Sequence, residues 1–282
     1  FTGLAAGSYT VTVTNNNSCS VTTTSVVIDN PPALGVSISK TDISCNGLGD
    51  GAVSGVATGG TGAYGYVLQT GAGVATGNVT GSVSGVFTGL SAGTYRIVAS
   101  DANGCSVISG NVTVVDPVQV TAATSTSLYN GFNIRCNGGN DGYIEVTAAG
   151  GVGNYTFTLG GAAVAVQTQP GAVYRFNNLA AGAYTVDVAD GNGCTLVATL
   201  NVTLTEPVLL TASGVVSSNY NGSEVSCFGA SDGAITITAA GGSGGNSYVL
   251  NELPANVSGA ASGVFTGLAA GSYTVTVTNN NS

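Results

Sequence analysis

The chain has 282 residues, of which 45 are glycine and 6% are charged, and it contains no His, Trp or Met. Its net charge of −9, with four Lys and Arg residues, lacks the basic footprint that nucleic acids and anionic membranes require. The missing histidines remove the most frequent general base and zinc ligand, so we expect no enzyme. A mean hydropathy of +0.36 is enough to bury a core. Because Met is absent, we expect an internal stretch of a longer protein.

Two motifs recur along the chain and divide it into modules. Cys-[Asn/Phe]-Gly-x-x-Asp-Gly begins at Cys45, Cys136 and Cys227, in steps of 91 residues, and Phe-x-x-Leu-x-Ala-Gly-x-Tyr begins at Phe1, Phe87, Phe176 and Phe265. In chain order the motifs predict the C-terminal part of a preceding module, two full modules, and a module lacking its last strand. These are residues 1–32, 33–117, 118–207 and 208–282.

Residues 1–18 recur letter for letter at 265–282, an offset of 264 residues. This predicts a window on a longer array whose three-module unit repeats. The alternative is a subunit that donates its first 32 residues to complete the last module of the next subunit, as in strand-exchange polymers.

Apolar and polar residues alternate within short β-branched runs, and glycine and asparagine turns separate these runs. About seven such runs in each module of 85 to 90 residues predict an all-β fold of tandem immunoglobulin-like β-sandwich modules in an extended rod. In the module 33–117 we place strand A at 34–44, B at 52–58, C at 64–69, E at 84–90, F at 94–100 and G at 106–115. The stretch 70–86 is variable.

Several recurring residues have structural interpretations. Gly59-Gly60 is predicted in the B–C turn and Asn103-Gly104 in the F–G turn, where positive φ is favoured. Phe87, Leu90, Phe176 and Leu179 are predicted to anchor the core from strand E. Four tyrosines follow an Ala-Gly pair and are predicted to form tyrosine corners, with the ring in the core and the hydroxyl bonded to nearby backbone: Tyr9, Tyr95, Tyr184 and Tyr273.

The acids of the cysteine motif, Asp50, Asp141 and Asp232, have two interpretations. Asp-Gly is an ordinary turn signal in which the carboxylate accepts local backbone N–H groups. A weak calcium contribution is the alternative, although calcium needs six to eight oxygen ligands and nearby acids are few. Asp101 and Asp190 at the F–G turns have the same two interpretations, and no other cofactor is expected.

Aromatic residues on the predicted C strands also have two interpretations. Alternation places most of them in the core, whereas an exposed strip of rings would stack on sugars. The residues concerned are Tyr64, Tyr66, Tyr155, Phe157 and Tyr248.

The six cysteines form two sets: Cys45, Cys136 and Cys227 at the A–B corner, and Cys19, Cys105 and Cys194 after the F–G turn. No Cys-x-x-Cys pair or His accompanies them, so disulfides in an oxidising, extracellular setting are favoured over metal binding.

Two disulfide pairings remain open. The A–B corner and the F–G turn lie a strand length of roughly 25 Å apart, whereas a disulfide needs Cα atoms within about 7 Å. This favours pairing between stacked modules, as Cys45–Cys194, with Cys136 joined to a cysteine expected at position 283 and with Cys105 and Cys227 joined to modules outside the window. Closure within modules, as Cys45–Cys105 and Cys136–Cys194, is the alternative.

The run Ile43-Ser-Cys45-Asn-Gly-Leu-Gly-Asp50-Gly51, followed by Leu90-Ser-Ala-Gly93-Thr-Tyr95 and Asp101-Ala-Asn-Gly-Cys105, resembles the SprB-type repeat of Bacteroidetes surface adhesins. The resemblance covers all the modules, with departures such as Phe228 in place of Asn. It implies a very large protein exported by type IX secretion, displayed on the cell surface and, in the best-known case, moved by the gliding machinery.

From these observations we expect a structural and adhesive repeat region of an extracellular filament. Its expected partners are neighbouring modules, surface glycans or abiotic surfaces, with no nucleic acid and no membrane insertion of this segment. The alternatives are a carbohydrate-binding module array of a secreted protein and a surface-layer protein.

Overall fold

The computed structural model of the chain describes residues 1–161, 165–169 and 171–279. The regular secondary structure of these residues consists of β-strands without helix, which confirms the predicted all-β class. No described segment forms a helix long and apolar enough to cross a membrane. The chain divides into two compact units, Phe1–Val118 and Gln119–Ser282. Residues 280–282 of the last predicted module lie outside the described residues.

The first unit begins with a segment that we call the N-terminal hairpin, residues 7–28. Two antiparallel ladders form it, and the residues of all four strands are exposed or half-buried. The pairs are β1 (Gly7–Tyr9) with β4 (Val26–Ile28) and β2 (Thr12–Thr14) with β3 (Ser20–Thr22).

The rest of this unit is a two-sheet sandwich, the module 33–117. Buried and more exposed residues alternate along β6, and the buried ones are Gly51, Val53, Gly55 and Ala57. They lie on the face of the sheet that packs on a core containing Phe87 and Ile97. The first sheet has the order β5 (Gly35–Thr41), β6 (Gly51–Thr58), β8 (Val86–Leu90), which are strands A, B and E. The second joins β7 (Gly65–Thr70, strand C) to β9 (Gly93–Ser100, strand F), which also pairs with β10 (Ser106–Ile108) and β11 (Val112–Val114).

Strand G differs from the prediction in this module, because the continuous strand expected at 106–115 is divided into β10 and β11. The Ser109 hydroxyl accepts the Ile97 N–H at 2.9 Å. A side chain therefore takes the place of a ladder carbonyl and interrupts the strand.

The second unit begins with the sandwich of residues 118–207. Its core includes Ile144, Phe157 and Val186, which are fully buried. One sheet has the order β12 (Thr121–Thr126), β13 (Gly142–Ala149), β16 (Val173–Leu179), and the other has the order β15 (Ala165–Gln169), β14 (Tyr155–Gly161), β17 (Gly182–Ala189), β18 (Leu200–Leu204). We call 33–117 and 118–207 the closed modules.

Residues 208–279 form what we call the open module. Its A–B–E sheet is intact, but its second sheet has two described strands, C and F, and no described strand G. The fully buried residues of its core cluster are Leu250, Phe265 and Leu268. The sheets are β19 (Val208–Val216), β20 (Gly233–Gly242), β22 (Val264–Leu268), and β21 (Asn246–Leu250) with β23 (Val275–Asn279).

Candidate functional site: the ends of the modules

The three acids of the cysteine motif occupy one structural position. Asp50 accepts the Ser44 N–H at 2.9 Å, and Asp232 accepts the Ser226 N–H at 3.0 Å. Asp141 accepts the Arg135 N–H at 3.2 Å and lies 3.4 Å from its guanidinium. These bonds join the beginning of the A–B corner to its end, six residues later.

Hydrogen bonds also lower the pKa of two of these acids, Asp50 and Asp232. The hydroxyl and the N–H of Ser44 hold the pKa of Asp50 below its ordinary value, and Ser226 does the same for Asp232. Among the described residues, no three His, Cys, Asp or Glu side chains gather as a metal-binding group. The weak calcium contribution stays a prediction.

In the two closed modules the glycine that follows the acid packs against strand G. A Cβ on Gly51 would lie 2.6 Å from Val114 Cγ1 and 2.8 Å from the Leu90 carbonyl. One on Gly142 would lie 2.9 Å from the Leu179 carbonyl and 3.2 Å from Leu204 Cδ1. Real Cβ atoms essentially never lie within 3.0 Å of a carbonyl oxygen, so a side chain at either position would require the backbone to move.

The Asn-Gly pair of the motif holds the linker that leaves the same module. The Asn46 amide donates to the Pro117 carbonyl at 2.9 Å, and the Gly47 N–H donates to the Asp116 carboxylate at 3.0 Å. The A–B corner thus binds both residues of an acid-proline linker, in a contact that we call the linker clamp.

The linker clamp recurs in the module 118–207 with a different acid. The Asn137 amide donates to the Pro207 carbonyl at 3.1 Å, and the Gly138 N–H donates to Glu206 at 2.6 Å. Sequence reasoning missed the clamp, although the recurring Asn-Gly pairs and the acids before two prolines were the available signal. In the open module Phe228 takes the asparagine position and is fully exposed.

At the opposite end of each closed module, a buried aspartate joins two turns. Asp101 accepts N–H groups from Thr61 at 3.0 Å, Asn103 at 3.0 Å and Cys105 at 2.9 Å. Burial acts to raise the pKa of Asp101, but the hydrogen bonds from Thr61, Cys105 and Asn103 outweigh it and keep the pKa below its usual value.

The residues at the position of Asp101 in the other modules also accept N–H groups, although two of them are asparagines. Asp190 accepts N–H groups from Val152, Asn192 and Cys194 at 2.8 to 2.9 Å. Asn15 replaces the aspartate in the N-terminal hairpin and accepts from Cys19 at 3.1 Å, whereas Asn279 in the open module accepts from Ser243 at 3.1 Å. The turn between strands B and C therefore depends on the F–G turn.

The hydrogen bond predicted for the tyrosine corners is present at all four tyrosines, and the rings of Tyr95, Tyr184 and Tyr273 pack in or against a core cluster. Each hydroxyl donates to the carbonyl four residues earlier, at 2.8 to 2.9 Å. The rings differ in burial: Tyr184 is 2% exposed, whereas Tyr95 and Tyr273 are half-buried. The donor–acceptor pairs are Tyr9–Ala5, Tyr95–Ser91, Tyr184–Ala180 and Tyr273–Ala269.

The aromatic residues of the C strands lie in or against the cores. Phe157 and Tyr66 are buried, and Tyr155, Tyr64 and Tyr248 are half-buried. The hydroxyls of Tyr64 and Tyr155 donate to the Gly59 and Gly150 carbonyls at 2.6 Å. These positions fit the core interpretation.

The cysteines differ in state. Cys45 and Cys194 are disulfide-bonded. Cys19, Cys105, Cys136 and Cys227 are exposed free thiols, so neither within-module pair, Cys45–Cys105 or Cys136–Cys194, is formed in this structure. Cys136 shares a cavity of about 250 Å³ with Pro207 and with Asn279, which lies at the F–G turn of the open module.

These features define a class of protein, the tandem array of immunoglobulin-like β-sandwich modules with built-in linker contacts. The family model of the SprB repeat matches this chain three times, over residues 37–73, 132–164 and 219–254. Each match covers the cysteine motif and the B and C strands that follow it, and the first match also includes most of strand A. The chain therefore contains three segments similar to the SprB repeat, in agreement with the resemblance seen in the sequence.

Comparison with solved structures finds matches at low sequence identity and low TM-score. Fibronectin(III)-like modules of Clostridium thermocellum CbhA are 14% identical over 60% of this chain and 94% of theirs, with a TM-score of 0.32. The tetra-tandem repeat from the extending region of a large adhesion protein is 14% identical over 99% and 72%, with a TM-score of 0.28. Sidekick-1 immunoglobulin domains 1–5 are 10% identical over 86% and 54%, with a TM-score of 0.38. No curated protein matches the chain at a significant level.

Proposed function

We propose that this chain is a structural and adhesive segment of a long extracellular surface filament. The linker clamp is the observation that carries the proposal. It occurs in both closed modules and fixes the first residues that leave each sandwich, Asp116-Pro117 and Glu206-Pro207. A linker that contains proline and is hydrogen-bonded to its own module resists bending, as a load-bearing stalk requires.

Disulfides between successive modules are part of this proposal, with Cys45 joined to Cys194. Both residues are disulfide-bonded, while the other four cysteines are free thiols. Mapping of disulfide-linked peptides without reduction tests the pairing. A peptide that links Cys45 to Cys105 would overturn it.

The surface supports weak multivalent contact rather than one tight site. All four cations have local partners: Lys40 pairs with Asp42 at 2.7 Å, Arg175 with Glu145 at 2.7 Å, Arg135 with Asp141, and Arg96 donates to Gln69. The proposed partners are neighbouring modules, surface glycans or abiotic surfaces. By its resemblance to SprB-type adhesins, the proposal includes export by type IX secretion, display at the cell surface and movement by the gliding machinery.

Electron microscopy of the native assembly tests the filament. Thin fibres with a repeat of roughly 100–130 Å are expected if three modules each contribute about a strand length and a linker. Compact globules would contradict the proposal, and two-dimensional sheets would favour a surface-layer protein. Protease shaving of intact cells, before and after loss of type IX secretion, tests export and display.

A further inference from the structure

Both linker clamps are built on a chemically labile pair of residues, Asn46-Gly47 and Asn137-Gly138. Asparagine is a thermolabile residue, and it loses ammonia most readily before glycine, because glycine has no side chain to hinder attack by its own nitrogen. All four residues are exposed, so water reaches each pair. Each clamp therefore contains a position at which the chain can modify itself.

The reaction is a deamidation that needs water and no enzyme. The Gly47 nitrogen loses its proton and bonds to the side-chain amide carbon of Asn46. The C–N bond of that amide breaks, and its nitrogen leaves with the proton as ammonia. Water then opens the five-membered ring at one of its two carbonyl carbons, which gives aspartate or isoaspartate. No electron is gained or lost.

The clamp holds the nitrogen that must attack. The Gly47 N–H donates to both oxygens of the Asp116 carboxylate, at 3.0 and 3.2 Å, and the Gly138 N–H donates to Glu206 at 2.6 Å. The nitrogen attacks only after it has lost this proton, and a neighbouring carboxylate opposes the negative charge that results. The acid of the linker thus suppresses the first step.

The clamp also holds the amide that must be attacked. The Asn46 amide donates to the Pro117 carbonyl at 2.9 Å. The Asn137 amide donates to the Pro207 carbonyl and to the Glu206 carboxylate, both at 3.1 Å. Ring closure rotates the amide carbon toward the glycine nitrogen and breaks these contacts. Deamidation therefore requires the clamp to open first.

We propose that Asn46 and Asn137 are deamidation sites that the acid of each linker protects, and that deamidation there releases the linker permanently. When a segment opens and closes much faster than a chemical step occurs, the rate of that step follows the population of the open form. Deamidation is slow, so its rate at Asn46 measures the fraction of time for which the clamp is open. The inference does not depend on the adhesive function.

The product cannot form the clamp again. A carboxylate at position 46 has no N–H to donate to the Pro117 carbonyl, and it adds a second negative charge beside Asp116. In the module 118–207 the new carboxylate would lie beside Glu206, which the Asn137 amide contacts at 3.1 Å. Like charges this close repel each other, so the linker leaves the corner.

Other positions of the chain separate protection by the linker from the general lability of Asn-Gly. In the open module the corner reads Phe228-Gly229, which has no amide to lose. At the F–G turn of the module 33–117, the Gly104 N–H donates to the Asp101 main-chain carbonyl at 3.0 Å, so its partner lies in its own turn. Asn103 is therefore an internal reference whose deamidation should not respond to the linker.

The test is peptide mapping of the full chain by mass spectrometry after incubation at mildly alkaline pH. Asn46 should deamidate about tenfold more slowly in the folded chain than in a peptide of residues 43–51 carrying Cys45→Ser, because the clamp is closed for most of the time. The variant Asp116→Ala should raise the rate at Asn46 about three- to tenfold and leave Asn103 unchanged. Asp116→Glu should restore the protection, since Glu206 has the same role in the module 118–207.

Hydrogen exchange at Val118 and Gln119 measures release of the linker. The variant Asn46→Asp reproduces one product of the reaction. Exchange at these two residues should be faster in it than in Asn46→Ala, because only the carboxylate repels Asp116. The difference between the two variants should shrink at high salt, which screens exposed charges.

Three results would overturn the proposal. One is equal deamidation of Asn46 in the folded chain and in the peptide, and another is a rate that Asp116→Ala leaves unchanged. An equal rise at Asn103 in that variant also overturns it, because the stability of the whole module and not the clamp would then control the reaction. Linker exchange in Asn46→Asp as slow as in the unmodified chain would contradict the release step.

Discussion

The module 118–207 and the open module have the same A–B–E sheet and the same tyrosine corner, yet their cores differ. In the first, β18 closes the second sheet, and Ile144, Val146 and Leu204 are fully buried. In the open module Ile235 and Ile237, at the positions of Ile144 and Val146, are only half-buried. One strand at the sheet edge thus decides whether the apolar residues of the opposite sheet are covered.

The largest expected effect comes from making the closed module resemble the open one. Leu204→Ala should destabilise the module 118–207 by about 2–5 kcal/mol, because it leaves a cavity over Gly142 and next to Leu179. Urea denaturation followed by hydrogen exchange of peptides from this module measures the loss. Val197→Ala, at a position 80% exposed, is the control and should change stability by less than about 0.5 kcal/mol. Equal effects of the two variants would refute the role assigned to strand G.

A second expected difference lies at the F–G turn, where the module 33–117 has Asp101 and the open module has Asn279. The pKa of Asp101 is lowered in the folded state, so its contribution to stability is present above the unfolded value of about 3.9 and is lost as the pH falls through the lowered value. Hydrogen exchange of the module 33–117 should therefore accelerate below about pH 4, after correction for the intrinsic rate.

The variant Asp101→Asn separates this effect from the other acids. An amide cannot accept N–H groups through both of its polar atoms, so the variant should be less stable at pH 7 and depend less on pH below 4. In the open module Asn279 already occupies this place and does not titrate. An unchanged acid response in Asp101→Asn would contradict the assignment.

The tyrosine corners should differ between the modules by a smaller amount. Tyr184→Phe removes a buried 2.9 Å bond to the Ala180 carbonyl and should cost about 1 kcal/mol. Tyr273→Phe removes the same bond at a half-buried position, where water can replace it, and should cost less. Urea midpoints of the two modules, followed by module-specific hydrogen exchange, compare the variants directly. A larger loss for Tyr273→Phe would reverse the comparison.

The smallest expected effect is at the linker clamp. Asn46→Ala removes one exposed hydrogen bond to the Pro117 carbonyl, which water can replace, and should cost less than about 0.5 kcal/mol. Its main readout is faster hydrogen exchange at Val118 and Gln119, with the sandwich core unchanged. The exposed variant Asn103→Ala, at the opposite end of the same module, is the control. Equal exchange at the linker in both variants would rule out a restraint by Asn46.

Much of the local structure could be predicted from residue patterns. Alternation in Tyr184–Val188 and the glycine turns located the strands, and the Ala181-Gly182 pair before Tyr184 identified a tyrosine corner, because these signals act over a few residues. The division of strand G at Ser109 could not be predicted, since it depends on a hydroxyl that meets Ile97 from a neighbouring strand. Strand β15 was likewise missed, because its partner β14 supplies the pairing that its sequence does not signal.

The candidate site was likewise predictable only in its local features. The motif positions Cys45, Asn46, Asp50 and Gly51 were found from their spacing, but Asn46 acquired its role only from Pro117, which lies 71 residues further along the chain. The repeat length, the all-β class and the resemblance to the SprB-type repeat follow from the sequence by itself, because periodicity and turn chemistry are local and recur. Which linker is held and where strand G is interrupted were decided only by the tertiary structure, since each depends on residues that folding brings together.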